Sequence, residues 1–98
     1  MEIISPDSTC FTVYSKSGCP HCTTVKKLIK DKHFFFTEVN CNEYLLEDKE
    51  AFLKFIEELA GISYRTFPMV FYKGKFVGGL TDTIDLIDKI LFLFDGDF

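Results

Sequence analysis

The stretch Ser17-Gly18-Cys19-Pro20-His21-Cys22 stands between a β-rich segment and a helical one. Two cysteines separated by two residues in a chain this short are typical of a redox dithiol. Pro20 suits the first position of a helix, so Cys19 is expected at the helix entrance. Unpaired N–H groups and aligned peptide dipoles there stabilise a thiolate, the reactive form of cysteine. Cys22, one turn later on the same face, can close a disulfide with Cys19.

Length and charge restrict the kind of protein. The chain has 98 residues, 47% of them hydrophobic, so we expect residues 1–98 to form a single domain with a buried core. The formal charge is −4, which gives no support for nucleic-acid binding. Residues 16–32 contain five lysines and one acid, whereas residues 38–58 contain seven acids and two lysines. The dithiol therefore lies in a basic region, which favours a thiolate and an anionic ligand.

Cysteine usage points to a reducing compartment. The chain start lacks the basic flank and apolar stretch of a signal peptide, and no run approaches the ~18 apolar residues that cross a bilayer. Four cysteines could form a structural framework, but that is expected of secreted proteins. We therefore expect a cytoplasmic protein without a membrane partner. Cys10 and Cys41 are expected to stay unbonded, because they fall at opposite ends of two parallel strands.

Hydrophobic periodicity predicts seven elements in the order β-α-β-α-β-β-α. A right-handed crossover makes the first two strands parallel, and the final hairpin adds an antiparallel pair. The sequence thus predicts an α/β fold, with a four-stranded mixed sheet covered by helices on both faces. The run Phe34-Phe35-Phe36 is expected in the core. The expected strands are 10–14, 34–40, 69–72 and 76–77. The expected helices are 20–32, 48–60 and a last helix capped by Thr81 or Asp82. The buried face of the last helix is expected to consist of Ile84, Ile87, Leu91 and Phe94.

Three motifs, in the right order and on the right elements, resemble those of the dithiol glutaredoxins of the thioredoxin superfamily. Lys16 with Cys19-Pro20-His21-Cys22 resembles the first, and Thr66-Phe67-Pro68 is similar to the Thr-Val-Pro segment that carries the family's cis-proline. Gly78-Gly79-Leu80-Thr81-Asp82 resembles the Gly-Gly-x-Thr-Asp segment that opens the last helix. The resemblance spans roughly residues 11–91 and implies a thioredoxin-like fold.

The resemblance implies a glutathione-disulfide oxidoreductase (thioltransferase) with glutathione as co-substrate and no tightly bound cofactor or metal. It makes Cys19 the nucleophile that attacks mixed disulfides of proteins with glutathione. It makes Cys22 the resolving thiol, needed for disulfides within proteins. Ribonucleotide reductase is among the open protein substrates, and the implied state is a monomer.

The resemblance also implies a glutathione site around the dithiol. Lys16 would face the glycyl carboxylate, with Arg65 assisting. The backbone of Phe67, next to Pro68, would pair with the cysteinyl unit as an added strand does. Thr81 and Asp82 would hold the γ-glutamyl end, through the helix N-terminus and the carboxylate.

Two residues depart from the family pattern, and two rival functions stay open. His21 stands where glutaredoxins often carry Tyr, and we predict that it lowers the pKa of Cys19; the alternative is an exposed spacer. Phe67 replaces a small aliphatic residue and is expected to narrow the groove. An iron–sulfur carrier using glutathione is the first rival, although its relatives generally lack a proline at the position of Pro20. A thioredoxin-like reductant is the second, disfavoured by Lys16, Thr81, Asp82 and the absence of Trp.

Overall fold

The computed structural model describes the backbone of residues 1–95 and the side chains through Leu93. The predicted order of seven elements is confirmed, and the sheet has the strand order β2-β1-β3-β4. β1 and β2 are parallel, whereas β1 with β3 and β3 with β4 are antiparallel. The elements are β1 (Phe11–Ser15), α1 (Pro20–Asp31), β2 (Phe36–Asn40), α2 (Asn42–Ala60), β3 (Met69–Tyr72), β4 (Lys75–Gly78) and α3 (Leu80–Asp95).

The core has one layer on each face of the sheet, because successive strand residues point to opposite faces. β1 is buried along its whole length: Phe11 and Val13 pack against α1 and α3, while Tyr14 packs against α2. The prediction of helices on both faces is confirmed. The α2 layer contains Tyr14, Val39, Cys41, Phe52, Leu53, Ile56, Met69 and Phe71. The opposite layer contains Phe11, Val13, Val25, Ile29, Val70 and Ile87.

The end of α1 explains why β2 starts two residues later than predicted. His33 has a left-handed backbone (φ 66°), its N–H donates to the Lys30 carbonyl, and the Phe34 N–H donates to the Ile29 carbonyl. These two bonds form a Schellman motif, which takes Phe34 out of the strand. The prediction that the whole Phe34–Phe36 run is core was wrong for Phe35, whose side chain is 86% exposed.

The second helix begins at Asn42, not at Asp48 as predicted. The Leu45 N–H donates to the Cys41 carbonyl, so the chain turns into a helix directly after β2. Asp48 has non-helical angles (φ −160°, ψ 84°) and its carboxylate accepts from the Ala51 N–H at 3.1 Å. The predicted start is therefore the cap of a second helical stretch beyond a kink. Gly61 ends the helix as predicted, at φ 78°.

The third helix begins at Leu80, earlier than the predicted cap at Thr81 or Asp82. The Thr83 N–H donates to the Gly79 carbonyl, which makes Gly79 the residue before the helix. The Asp82 carboxylate instead reaches back to the Gly79 N–H at 3.3 Å, as the third residue of a capping box does. Of the predicted buried face, Ile87 is buried and Leu91 half-buried, but Ile84 is exposed. The side chain of Phe94 lies outside the described residues.

Two further sequence predictions concern the membrane and the remaining cysteines. None of the helices in the described part of the chain is long and apolar enough to cross a membrane. Cys10 and Cys41 are not bonded to each other, as predicted. Cys41 is fully buried at the end of β2, and Cys10 is half-buried before β1.

Candidate active site

The dithiol lies where the chain leaves β1 and enters α1. Cys19 is the N-cap residue, with an extended backbone (φ −120°, ψ 95°), and Pro20 opens the helix. The two cysteines form a disulfide with Cα atoms 5.3 Å apart. The backbone N–H of Cys22 donates to Sγ of Cys19 at 3.1 Å. In the reduced protein, the same N–H and the helix N-terminus stabilise negative charge on Cys19.

The two sulfurs differ in their access to solvent. Cys19 is partly exposed, whereas Cys22 is 1% exposed and packs in the protein interior. A substrate can therefore approach Cys19, while Cys22 is in reach of Cys19 itself. Cys19 is thus the accessible sulfur of the pair and Cys22 the enclosed one.

The loop before Cys19 is held by the start of α2. The Ser17 N–H donates to Oδ1 of Asn42 at 3.0 Å, and Nδ2 of Asn42 donates to Oγ of Ser17 at 2.7 Å. Asn42 in turn is fixed by its own N–H, which donates to Oδ1 of Asn40 at 2.9 Å. The amide group therefore clamps the dithiol loop to the end of β2. Such a clamp joins positions 25 residues apart, so no local sequence pattern indicates it.

A cationic cavity of about 370 Å³ borders the dithiol on one side. Lys16 and Arg65 line it together with Cys19. The ammonium of Lys16 lies 5.6 Å from the centre of the Phe67 ring, within the range of a cation–π contact. The Arg65 guanidinium pairs with the exposed Glu50 carboxylate at 3.0 Å. The structure thus brings Lys16 and Arg65 into one cavity with Cys19.

A second cavity, of about 240 Å³, continues past the dithiol to the start of α3. Thr81 and Asp82 line it, and both are exposed. The two cavities share His21, Thr66 and Phe67, so they form one groove from Lys16 to Asp82. The residues singled out for glutathione therefore lie along one continuous surface.

The segment between the two cavities is held by aromatic packing. The Phe67–Pro68 peptide is cis, as the resemblance implied, and it precedes β3 outside the sheet ladder. The Phe67 ring stacks on Phe52 at 6.0 Å with planes 6° apart, and Phe52 stacks on Tyr44 at 5.5 Å. The backbone of Phe67 is thus fixed beside Cys19 without occupying its polar groups in the sheet.

Cys41 lies at the same end of the sheet as the dithiol and is fully buried. Burial raises the pKa of the Cys41 thiol to about 12, so it stays protonated at neutral pH. Its Sγ lies 3.5 Å from the Val39 carbonyl. Within the described residues there is no group of three or more His, Cys, Asp or Glu side chains arranged to hold a metal ion.

Comparison with known proteins places this arrangement within the thioredoxin fold class and then within one family. The family model described as Glutaredoxin matches residues 11–77. The chain is 30% identical over 84 residues to Glutaredoxin 1 of Rickettsia typhi, covering 81% of this chain and 76% of that protein. It is 36% identical over 74 residues to mitochondrial Glutaredoxin-2 of Pongo abelii, covering 76% of this chain and 44% of that protein. The chain therefore belongs to the glutaredoxin family, and it spans less than half the length of that mitochondrial relative.

Solved structures agree with this assignment. A buckwheat glutaredoxin–glutathione complex superposes with a TM-score of 0.69 at 26% identity, over 85% of this chain and 72% of the other. Glutaredoxin 1 from Francisella tularensis, complexed with cacodylate, superposes with a TM-score of 0.72 at 24% identity, over 83% and 94% of the two chains. The latter likeness shows the shared fold. The predicted thioredoxin-like fold is confirmed.

Two residues at the groove were not singled out from the sequence. Asn42 holds the loop before Cys19 by its hydrogen bonds with Ser17. Tyr64 lines the cavity that Thr81 and Asp82 also line. Tyr64 stands between helix α2 and the Thr66-Phe67-Pro68 motif, in a stretch without periodicity or motif character. Only the folded structure shows that the Tyr64 hydroxyl lies against Gly79.

Proposed function

We propose that this protein is a glutathione-dependent thiol–disulfide oxidoreductase that reduces mixed disulfides between proteins and glutathione, and disulfides within proteins. The groups that line the groove carry the proposal: two cations and Cys19 line one cavity, and a helix N-terminus with a carboxylate lines the adjoining one. Glutathione has the matching groups, which are a glycyl carboxylate, a central thiol, and an amino acid end with an ammonium and a carboxylate. The buckwheat homologue bound to glutathione supports this ligand.

The groove suggests a position for each part of the ligand. Lys16 and Arg65 attract the glycyl carboxylate, and the Phe67 backbone pairs with the cysteinyl unit as an added strand. The Asp82 carboxylate receives the γ-glutamyl ammonium, while N–H groups at the start of α3 receive the carboxylate next to it. Thr81 lines this end. The glutathionyl sulfur then lies next to Sγ of Cys19.

The first chemical step is a disulfide exchange. The Cys19 thiolate attacks the glutathione sulfur of the mixed disulfide, forming a Cys19–glutathione disulfide and breaking the bond to the protein substrate, which leaves as a thiolate. A free thiol with a pKa of about 8.5 is only a few per cent ionised at neutral pH. The helix N-terminus stabilises the thiolate of Cys19 and thereby increases the fraction of the thiol that can react. A second glutathione thiolate then attacks the bound glutathionyl sulfur. Glutathione disulfide is released and the Cys19 thiolate is restored.

Disulfides within proteins need the second cysteine. Cys19 attacks one substrate sulfur and forms a mixed disulfide with the protein. The Cys22 thiolate then attacks Sγ of Cys19, releases the substrate as a dithiol, and leaves the Cys19–Cys22 disulfide seen in the structure. Two glutathione molecules supply the two electrons that reduce it.

The test is glutathione-coupled reduction of a small glutathione mixed disulfide, and separately of a protein disulfide. We expect Cys19→Ser to abolish both activities, and Cys22→Ser to retain the first and lose the second. Cys10→Ser, a change of a cysteine outside the groove, is the matched control and should behave as wild type. Activity that survives Cys19→Ser would overturn the proposal.

The cellular setting is part of the proposal. We propose a monomer in the cytoplasm that acts on glutathionylated or disulfide-containing proteins, because a reducing compartment keeps Cys10 and Cys41 as thiols. The mammalian relative carries a mitochondrial name, so microscopy of the tagged chain is the direct test of compartment. A mitochondrial signal would refute the cytoplasmic assignment. Light scattering of the purified protein tests the monomer.

A further inference from the structure

Tyr64 places a hydroxyl group in the cavity that leads to α3. Its ring is half-buried and meets Phe76 edge to face, with centroids 4.9 Å apart and planes at 69°. The hydroxyl oxygen lies against Gly79, where an added Cβ would stand 2.8 Å from it. Both residues line the cavity that contains Thr81 and Asp82. The glycine therefore makes room for the phenol at this end of the groove.

The Tyr64 hydroxyl has no partner of its own in the part of the chain with described side chains. The hydroxyl of Tyr14 donates to the Ile4 carbonyl at 2.6 Å, and that of Tyr44 accepts from the Ile4 N–H at 3.2 Å. None of the hydrogen bonds found within residues 1–93 uses the Tyr64 hydroxyl. No buried side-chain oxygen or nitrogen of the described residues lacks a partner, so the unpaired Tyr64 hydroxyl is open to solvent in the cavity and available to a ligand there.

The start of α3 provides donors beside this hydroxyl. The first intrahelical bond there runs from the Thr83 N–H to the Gly79 carbonyl, so the N–H groups of the three preceding residues lack helical partners. The Asp82 carboxylate is turned toward the Gly79 N–H at 3.3 Å. An amino acid group here meets donors for its carboxylate and an acceptor for its ammonium. The phenol adds a donor that can rotate.

We propose that Tyr64 is a specificity-determining residue of the glutathione site, whose hydroxyl donates a hydrogen bond to the γ-glutamyl carboxylate. This inference rests on the proposed function. It gives the enzyme a means to distinguish glutathionyl disulfides from disulfides of smaller thiols. The ring packs against Phe76 and the oxygen lies against Gly79, so the oxygen is in position before the ligand arrives and only its O–H bond has to rotate.

The experiment compares two small mixed disulfides, one with glutathione and one with cysteinylglycine, which lacks the γ-glutamyl unit. Tyr64→Phe keeps the ring and removes only the hydroxyl. We expect it to lower kcat/KM for the glutathionyl substrate about tenfold, as for an unmade hydrogen bond to a charged group, and to leave the cysteinylglycine value unchanged. Tyr72→Phe, a half-buried tyrosine that does not line the groove, is the matched control and should change neither value.

The two substrates separate the failure of this inference from the failure of the proposed function. If wild type prefers the glutathionyl substrate but Tyr64→Phe is unaffected, or loses rate equally on both substrates, the role of the hydroxyl is refuted. If wild type treats both substrates alike, the glutathione site itself is refuted. Thermal unfolding of each variant confirms that the comparison is made between folded proteins.

Discussion

The backbone N–H of Cys22 donates to Sγ of Cys19 at 3.1 Å, so the second cysteine stabilises the first through its main chain as well as bonding it through its sulfur. This contact exists because Cys19 is the N-cap of α1 and its extended backbone points Sγ over the first turn. The two cysteines of the dithiol therefore have different surroundings. Cys19 is both the more exposed and the better stabilised as an anion.

We predict that His21→Tyr lowers the redox potential of the dithiol. His21 is exposed and lines both cavities of the groove, one of which Cys19 also lines, and an imidazole N–H directed at the Cys19 thiolate stabilises the reduced form. A change of one pKa unit at Cys19 corresponds to about 1.4 kcal/mol, or about 30 mV for this two-electron couple. Equilibration with glutathione redox buffers measures the shift, and His33→Tyr is the control at the far end of α1. An unchanged or higher potential would refute the role of His21.

His33→Gly should stabilise the fold. His33 adopts φ 66° at the end of α1, a left-handed conformation that a residue with a Cβ disfavours by roughly 1–2 kcal/mol. Glycine removes that cost but has a more flexible unfolded state, so we expect a net gain of about 0.5–1 kcal/mol in urea unfolding. Gly61→Ala, at φ 78° after α2, is the reciprocal change and should destabilise. A stability loss in His33→Gly would show that the imidazole contributes more than the backbone costs.

Cys41 should weaken the fold at alkaline pH. Burial raises its pKa from 9.0 to about 12, so above pH 9 the unfolded chain binds fewer protons than the folded one. The contribution is complete below about pH 9 and then falls by up to about 1.4 kcal/mol per pH unit as pH rises toward the folded value. Tyr14, whose pKa burial also raises, acts in the same direction.

Comparison of two variants isolates the effect of Cys41. Urea unfolding under reducing conditions at about pH 8 and about pH 10.5 should give a shallower pH dependence for Cys41→Ala than for wild type. Cys10→Ala retains the buried thiol and should match the wild-type slope. Equal slopes in wild type and Cys41→Ala would mean that the Cys41 thiolate is accommodated in the folded protein.

Glu38 should contribute to stability at neutral pH and lose that contribution in acid. The Lys26 ammonium and the Ser15 hydroxyl both donate hydrogen bonds to the Glu38 carboxylate. These bonds lower the pKa of Glu38, and the bond from Lys26 has the larger effect. The contribution is thus present above the unfolded pKa and disappears as pH falls through the lowered folded value. The Glu38 side chain is 40% exposed, so solvent screening limits the effect to below about 1 kcal/mol.

The measurement is the difference in unfolding free energy between wild type and Glu38→Gln at about pH 7 and about pH 3. We expect Glu38→Gln to be the less stable protein at neutral pH, with the difference shrinking in acid. Glu58→Gln, an exposed glutamate of α2 outside the ion pairs found among residues 1–93, should show no such trend. A difference independent of pH would assign the effect of Glu38 to packing.

Local signals were enough to predict the order of elements and most of their interiors. Pro20 marked the start of α1, Gly61 marked the end of α2, and both hold in the structure. The errors occur at element ends, where two capping patterns compete. Asp48 is a true cap, but of a second helical stretch, because the turn at Cys41 had already started the helix. Phe35 is exposed because the left-handed His33 turns the chain before β2 begins.

The groove was predictable only where a motif marks it. The three motifs identified the dithiol, the Phe67–Pro68 segment and Asp82, and the fold brings all of them to one surface. Asn42 and Tyr64 carry no such mark, since their roles arise from contacts with Ser17 and Gly79 across the chain. Long-range contacts of single polar atoms leave no periodic trace in a sequence.

The most direct test of the mechanism is to trap its covalent intermediate. Cys22→Ser cannot resolve the intermediate internally, so brief treatment of the reduced variant with glutathione disulfide should leave one glutathionyl group on the protein. Peptide mass spectrometry locates it. We expect the group on Cys19, with Cys10 and Cys41 unmodified. A glutathionyl group on Cys10 or Cys41 with Cys19 unmodified, or no adduct at all, would contradict the assignment of Cys19 as the exchange nucleophile.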